Sequence, residues 1–138
     1  MANINLKTYY MVIKILGDFV NNKIIDKDFF NENIIDVVNE ENSQKIYIGR
    51  IYYIAKKHNL VSIMAQAMEK LGFESDSDIW KRWLKEKNQL IYKSVLMDVE
   101  REAIQDFFEK NNIWYMLLKG MVIRKYYPAP ELREMADN

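Results

Sequence analysis

Apolar residues recur every three or four positions through most of the first 110 residues, a spacing that places side chains on one face of a helix. The first such stripe consists of Leu6, Tyr9, Ile13, Leu16 and Val20. It predicts a helix that ends at Asn21-Asn22, and a shorter amphipathic helix is predicted over 29–38. Two further stripes predict two more helices, and the second of these ends at Gly72, where a left-handed cap is expected. Their apolar positions are Ile48, Ile51, Tyr52 and Ala55, then Ile63, Ala67 and Leu71.

One long helix is predicted from about residue 76 to about residue 110. The cluster Ser75-Asp76-Ser77-Asp78 offers side-chain oxygens to the first free amides of a helix, and no glycine or proline follows before residue 110. A heptad spacing of Trp83, Leu90, Met97 and Ile104 is compatible with a coiled coil, but the wide aromatic stripe favours packing against the preceding helices. Six aromatic side chains fit a helical core better than a base-stacking surface: Tyr52, Tyr53, Trp80, Trp83, Phe107 and Phe108.

The pattern changes after Asn111-Asn112. The segment 113–118 is a continuous apolar run bounded by turn residues, which is typical of a buried strand, although a run this short also fits a helix. Lys119-Gly120 interrupts the run, a short helix is predicted over 121–127, and Pro128 and Pro130 break that helix. The pattern therefore predicts a mainly α (α+β) fold, with a helical region 1–111 followed by a strand, a turn and a helix in 112–138.

The composition excludes many kinds of site. The chain has 138 residues, no cysteine and one histidine, so disulfides, thiolate metal sites, cysteine nucleophiles and two-histidine zinc motifs are excluded. The glycines at 17, 49, 72 and 120 are too far apart for a dinucleotide-binding or P-loop motif. The formal charge is zero, so nucleic acid is not indicated as a partner. No apolar run is long enough to span a membrane, and a cytoplasmic location is expected.

One segment has a specific pattern of motifs. From Trp114 to Asp137 an apolar run ends in Leu-Lys-Gly, and a Tyr-Pro pair, a Leu-Arg pair and an Asp follow in order. This order resembles the uncharacterised bacterial nucleotidyltransferase family of the DNA polymerase β-like nucleotidyltransferase superfamily. That family also has a helical N-terminal region that often contains Ala-x-x-His, to which Ala55-Lys56-Lys57-His58 is similar.

The resemblance implies a reaction and a set of site residues. It implies that a nucleotidyl group passes from an NTP to a hydroxyl of an unknown acceptor, with Mg²⁺ bound by carboxylates in the complete protein. Asp137 would be the first, catalytic and metal-binding aspartate of an Asp-x-Asp motif. Lys119, Gly120 and Arg133 would bind the nucleotide, because glycine admits phosphate close to the backbone and the cations add charge-assisted contacts.

The chain departs from the family pattern at its end. The second aspartate of Asp-x-Asp would be residue 139, and the third carboxylate of the family lies on a later strand. We therefore expect these residues to be the N-terminal part of a longer protein, ending within a truncated nucleotidyltransferase core. We expect them to be inactive alone, to bind no metal firmly, and to self-associate through uncovered apolar surface. The alternatives are a non-catalytic helical interaction module and a fragment that another chain completes.

Overall fold

The computed structural model describes residues 2–25, 28–36 and 44–133. Within these ranges the chain forms six α-helices, one pair of short strands, and a 3-10 turn over Pro130–Leu132. The elements are α1 (Ala2–Val20), α2 (Asp28–Asn33), β1 (Ile34–Ile35), β2 (Ile46–Tyr47), α3 (Ile48–Lys57), α4 (Val61–Lys70), α5 (Asp78–Lys110) and α6 (Gly120–Arg124). The chain divides into two compact units, and the boundary lies between Lys87 and Asn88. Because this boundary lies within α5, that helix contributes residues to both units. The predicted boundary between 1–111 and 112–138 stays a prediction.

The first unit has an apolar core formed by α1, α3, α4 and the start of α5. Trp83 is fully buried there, and its indole nitrogen donates a hydrogen bond to the Val61 carbonyl oxygen at 2.6 Å. Trp80 packs edge to face against both Trp83 and Phe73, with ring centroids 5.5 and 4.9 Å apart. Large apolar side chains that are almost completely removed from water supply most of the stabilisation of such a unit.

The apolar stripe that predicted α1 is mostly exposed in the structure. Leu6, Ile13 and Val20 are exposed, and Ile13 retains 68% of its accessible surface. The buried positions are instead Thr8, Met11, Val12, Ile15 and Phe19, which follow the same three-or-four spacing on another side of the helix. Because α1 has apolar side chains on both sides, its own periodicity does not determine which side packs against α3 and α4.

The helix predicted over 29–38 is shorter than expected, because α2 ends at Asn33 and Ile34 begins a strand. β1 and β2 pair in parallel, with Ile34 opposite Ile46 and Ile35 opposite Tyr47. Strands of two residues have no alternating pattern of their own, so the sequence offered no signal for this pair.

Four of the helices end in the same manner. Each is followed by a residue with a positive φ, namely Asn22, Asn59, Gly72 and Asn112, with φ between 52° and 93°. The amide of the next residue donates back to a carbonyl five positions earlier, as from Leu60 to Ala55 at 2.7 Å and from Phe73 to Met68 at 2.8 Å. This is the Schellman arrangement, in which asparagine or glycine tolerates the left-handed backbone. The cap predicted at Gly72 is confirmed.

The long predicted helix is confirmed as α5. Its start is marked by Ser77, whose side-chain oxygen accepts a hydrogen bond from the Trp80 amide at 3.4 Å. Among the six aromatic residues assigned to the core, Tyr52, Trp80 and Trp83 are buried as expected. Phe108 is partly buried, whereas Tyr53 and Phe107 are mostly exposed, so the assignment of these two to the core was wrong.

The second unit contains the rest of α5, α6 and the turn over Pro130–Leu132. The predicted strand over 113–118 was wrong: this segment has irregular backbone, and all six side chains are exposed. A strand is stabilised by backbone hydrogen bonds to a neighbour, and the only sheet within the described residues is the β1–β2 pair. The mainly α (α+β) fold is confirmed, because helices dominate and this sheet has two short strands.

Candidate functional site

Lys119 and Gly120 form a tight turn at the start of α6. Lys119 has φ 44° and ψ −110°, which is close to the first central residue of a type II′ turn, and the Met121 amide donates to the Leu118 carbonyl oxygen at 3.3 Å. The Lys119 carbonyl oxygen accepts hydrogen bonds from the Val122 and Ile123 amides, both at 3.0 Å. A lysine rarely adopts a positive φ, so this turn is a strained position beside the predicted phosphate-binding glycine. The nucleotide-binding role of both residues stays a prediction.

Arg133 lies in a different environment from Lys119. Its guanidinium carbon is 5.7 Å from the centroid of the Tyr127 ring, in the arrangement of a cation–π contact. Arg133 also lines a small cavity of about 20 Å³ together with Leu90, Lys93, Ser94, Met97 and Arg124. Lys119 and Gly120 do not line this cavity. The structure thus brings Arg133 together with two other cationic side chains, Lys93 and Arg124.

Asp137, the predicted catalytic and metal-binding residue, lies outside the described residues. Among the residues that the structure does describe, no three His, Cys, Asp or Glu side chains come together in a way that could hold a metal ion. The assignment of Asp137 to catalysis and metal binding therefore stays a prediction.

Arg124 is a polar centre of the second unit that the sequence analysis missed. Only 7% of its surface is exposed, and its guanidinium binds both oxygens of the Asp98 carboxylate, at 2.7 and 3.1 Å. It also donates to the buried Ser94 hydroxyl, and its Nε donates to the Pro130 carbonyl oxygen at 2.7 Å. A buried guanidinium needs this many partners, because an unpaired charge in an apolar environment is strongly destabilising.

The Arg124 network fixes the position of the segment that carries Arg133. Ser94 and Asp98 are four residues apart on α5, so both side chains lie on one helix face toward Arg124. Pro130 lies three residues before Arg133, and the bond from Arg124 holds it in place. The sequence signal for this network was the pair Ser94 and Asp98, which are polar residues at helical spacing within the apolar pattern of α5. Arg124 itself has no distinguishing sequence pattern.

A second polar cluster lies in the first unit, around Glu86. The Tyr52 hydroxyl donates to the Glu86 carboxylate, and Lys56 Nζ lies 3.1 Å from the same oxygen. Burial raises the pKa of Glu86, but the hydrogen bonds from Tyr52 and Lys56 outweigh it and hold this pKa below its ordinary value. The hydrogen bond to Glu86 is also the main reason that the pKa of Lys56 is raised. Tyr52, Lys56 and Glu86 are hydrogen-bonded to one another, which is typical of a cluster with a structural role.

The comparison with known families shows to which protein family the chain is related. The uncharacterised nucleotidyltransferase family matches residues 44–138, more than half of the chain. The chain belongs to the uncharacterised nucleotidyltransferase family. The matched region of this nucleotidyltransferase-family chain starts before β2 and includes α3 to α6, the Lys119-Gly120 turn, Arg133 and Asp137. Neither the curated proteins nor the solved structures gave a significant match.

The lengths and hydropathy of the helices also bear on membrane insertion. None of the helices that the structure describes combines the length and the apolar character needed to cross a bilayer.

Proposed function

We propose that the protein takes part in nucleotidyl transfer from an NTP to a hydroxyl group of an acceptor. The observation that carries this proposal is the family match over 44–138, which includes the whole segment from the Lys119-Gly120 turn to Asp137. In this reaction the acceptor oxygen forms a bond to the α-phosphorus and the bond to the β-phosphate oxygen breaks. Pyrophosphate leaves, and the hydroxyl proton passes to solvent.

The cationic residues of the second unit support a role in holding the nucleotide. Lys119 is exposed in its turn, so its ammonium group is accessible to a phosphate. Arg133 lines a cavity with two other cationic residues, Lys93 and Arg124. Asp98 forms an ion pair with Arg124 and so neutralises one of these three charges. Charge-assisted hydrogen bonds from such groups to phosphate oxygens are stronger than neutral hydrogen bonds. We assign Lys119 and Arg133 to nucleotide binding on this basis, and Gly120 because glycine admits phosphate close to the backbone.

Mg²⁺ would supply charge neutralisation at the phosphates. By the family resemblance, Asp137 would be one of its ligands.

A binding experiment tests the proposal. The four nucleoside triphosphates are titrated against the chain, and Lys119→Gln is expected to weaken binding by about fivefold or more, because it removes a charge-assisted contact. Lys125→Gln is the matched control: Lys125 is another exposed lysine, six residues further along. The proposal fails if no triphosphate binds, or if both variants lose the same affinity.

A transfer assay tests the expected inactivity of the 138-residue chain. With Mg²⁺, the four triphosphates and a panel of hydroxyl acceptors, we expect no labelled product, since the described residues gather no metal-binding carboxylates. Product formation by the purified chain would contradict this expectation.

A second candidate function is a non-catalytic helical interaction module, or a fragment that another chain completes. The exposed apolar run over 113–118 favours it, because contiguous apolar surface of this kind marks sites of protein contact. Light scattering over a range of concentrations is expected to show self-association. A monomer at every concentration would count against this candidate.

A further inference from the structure

The first unit contains an open cavity of about 390 Å³ that the proposed transfer reaction does not use. Its volume is within the range of small-molecule pockets, about 300–1,000 Å³. Eight residues from α1, β2 and α3 line it: Thr8, Tyr9, Tyr47, Gly49, Arg50, Tyr53, Ile54 and Lys57. Thr8 and Ile54 are its buried lining residues, whereas Arg50, Tyr53 and Lys57 are exposed.

Three tyrosines from three different elements surround the cavity. Tyr9 belongs to α1, Tyr47 to β2 and Tyr53 to α3, so segments far apart in the sequence each contribute one tyrosine to the lining. Tyr53 keeps 69% of its surface exposed, although it lies beside fully packed positions of the core. Tyr9 and Tyr53 are exposed and Tyr47 is partly buried, and the exposed rings offer flat faces on which a planar ligand can stack.

Two cations complete the rim. Arg50, Tyr53 and Lys57 are spaced three and four residues apart, which places them on one face of α3. Both cationic side chains are exposed, and neither forms a salt bridge within the described residues. None of the eight lining residues carries a carboxylate. The surface of the cavity is therefore positively charged, although the whole chain has a formal charge of zero.

Gly49 allows the Tyr47 ring to take its position. A Cβ atom at residue 49 would lie 2.3 Å from Cε1 of Tyr47, far inside contact distance. The ring thus occupies the space next to the first turn of α3 that any other side chain would fill.

We propose that this cavity binds a nucleotide unit, with the base stacked on a tyrosine ring and the phosphate held by Arg50 and Lys57. Stacking on aromatic side chains together with cationic contacts to the backbone is the way proteins hold unpaired nucleotides. The unit comes from a free nucleotide or from a single strand of nucleic acid, since both present the same base and phosphate. The proposal goes beyond nucleotidyl transfer and does not depend on it.

The test measures binding in EDTA, so that no metal-dependent reaction contributes. UMP, a six-residue oligouridylate and inorganic phosphate are each titrated against the full chain. We expect saturable binding of UMP or the oligonucleotide, and binding of phosphate weaker by at least about tenfold, because phosphate lacks the stacked base. Equal affinity per site for UMP and the oligonucleotide indicates a free nucleotide, and tighter binding of the oligonucleotide indicates a single strand.

Tyr53→Ala tests the stacking contact. It is expected to weaken binding by about fivefold or more. Tyr10→Ala is the matched control, because Tyr10 is 66% exposed in the same unit and does not line the cavity. Gly49→Ala adds a second test, since it must displace the Tyr47 ring and is expected to reduce affinity while circular dichroism shows the helices retained.

The double variant Arg50→Gln/Lys57→Gln tests the binding of the phosphate. For the oligonucleotide, the slope of log affinity against log salt is expected to fall by about 0.7 for each cation that no longer neutralises a phosphate. Lys81→Gln/Lys85→Gln removes the same charge from exposed positions of α5 and is expected to leave the slope unchanged. The proposal is overturned if neither ligand binds, if phosphate binds as well as UMP, or if the control variants lose as much affinity as the cavity variants.

Discussion

The two units of the chain are stabilised in opposite ways. In the first, the buried side chains are almost all apolar, and Trp83 is fully enclosed. In the second, Arg124 and Ser94 are buried, whereas most large apolar side chains are exposed. Burial decreases along α5 itself: Trp83 is buried, Met97 is partly buried and Ile104 is exposed. A heptad pattern in the sequence therefore indicates a helix, but does not show that its apolar face is covered.

The difference predicts unequal stability. Burial of large apolar side chains contributes more free energy than a network of hydrogen bonds around one guanidinium, because that network must first offset the desolvation of the charge. We expect the second unit to open locally at a lower free energy than the first. Three substitutions, from the largest expected effect to the smallest, examine this contrast.

Trp83→Ala is expected to lower the free energy of unfolding by about 3–5 kcal/mol, because it leaves a cavity in the core and removes the hydrogen bond to Val61. Urea denaturation followed by circular dichroism measures the effect. Trp114→Ala is the control, since Trp114 is 100% exposed and its removal is expected to change stability by less than about 0.5 kcal/mol. Equal effects of the two substitutions would contradict the contrast between the units.

Arg124→Met is expected to destabilise the second unit by about 1–3 kcal/mol, because Ser94 loses its partner and Asp98 keeps only Arg101 and some exposure to water. Hydrogen exchange at the α6 amides measures this local opening. Arg101→Met is the matched control: Arg101 binds the same Asp98 oxygen at 3.0 Å but is more exposed. Its expected cost is below about 1 kcal/mol. Unchanged exchange in Arg124→Met would show that the network does not hold α6.

Glu86→Gln tests the pH dependence of the first unit. The pKa of Glu86 is lowered in the folded protein. Its contribution to the free energy of unfolding is therefore present above the unfolded-state pKa and is lost as pH falls through the folded-state pKa. The native chain should therefore lose stability below about pH 4, and the variant should lose less over the same range. At neutral pH the variant should be less stable by under about 1 kcal/mol. Denaturation curves at several pH values measure both effects, and Glu74→Gln, at an exposed position, should retain the native pH profile.

Features that depend on local sequence were predictable. The start of α5 follows from the Ser-Asp cluster, and Gly72 ends α4 because glycine tolerates a positive φ. α3 was found by its periodicity, since Ile48, Ile51 and Ala55 are all buried. In each case the residues that form the feature are neighbours in the chain.

Features that depend on distant partners were not predictable. α1 has apolar residues on two sides, and only its packing against α3 and α4 determines that Ile15 is buried and Ile13 is not. The run over 113–118 has the composition of a strand but lacks a pairing partner among the described residues. For the candidate site, the Lys119-Gly120 turn was expected. The network around Arg124 was not, because its members come from separate segments.

The placement of the three tryptophans gives each unit its own optical reporter. Trp80 and Trp83 are enclosed in the first unit, whereas Trp114 of the second unit is surrounded by solvent. Indole in an apolar environment fluoresces at shorter wavelength than indole in water, and a dissolved collisional quencher reaches only the latter. Emission from the native chain should thus contain a quenchable red component from Trp114 and a protected blue component. A ligand or partner that covers 113–118 would shift only the red component from Trp114. Unfolding of the first unit would change the blue component from Trp80 and Trp83.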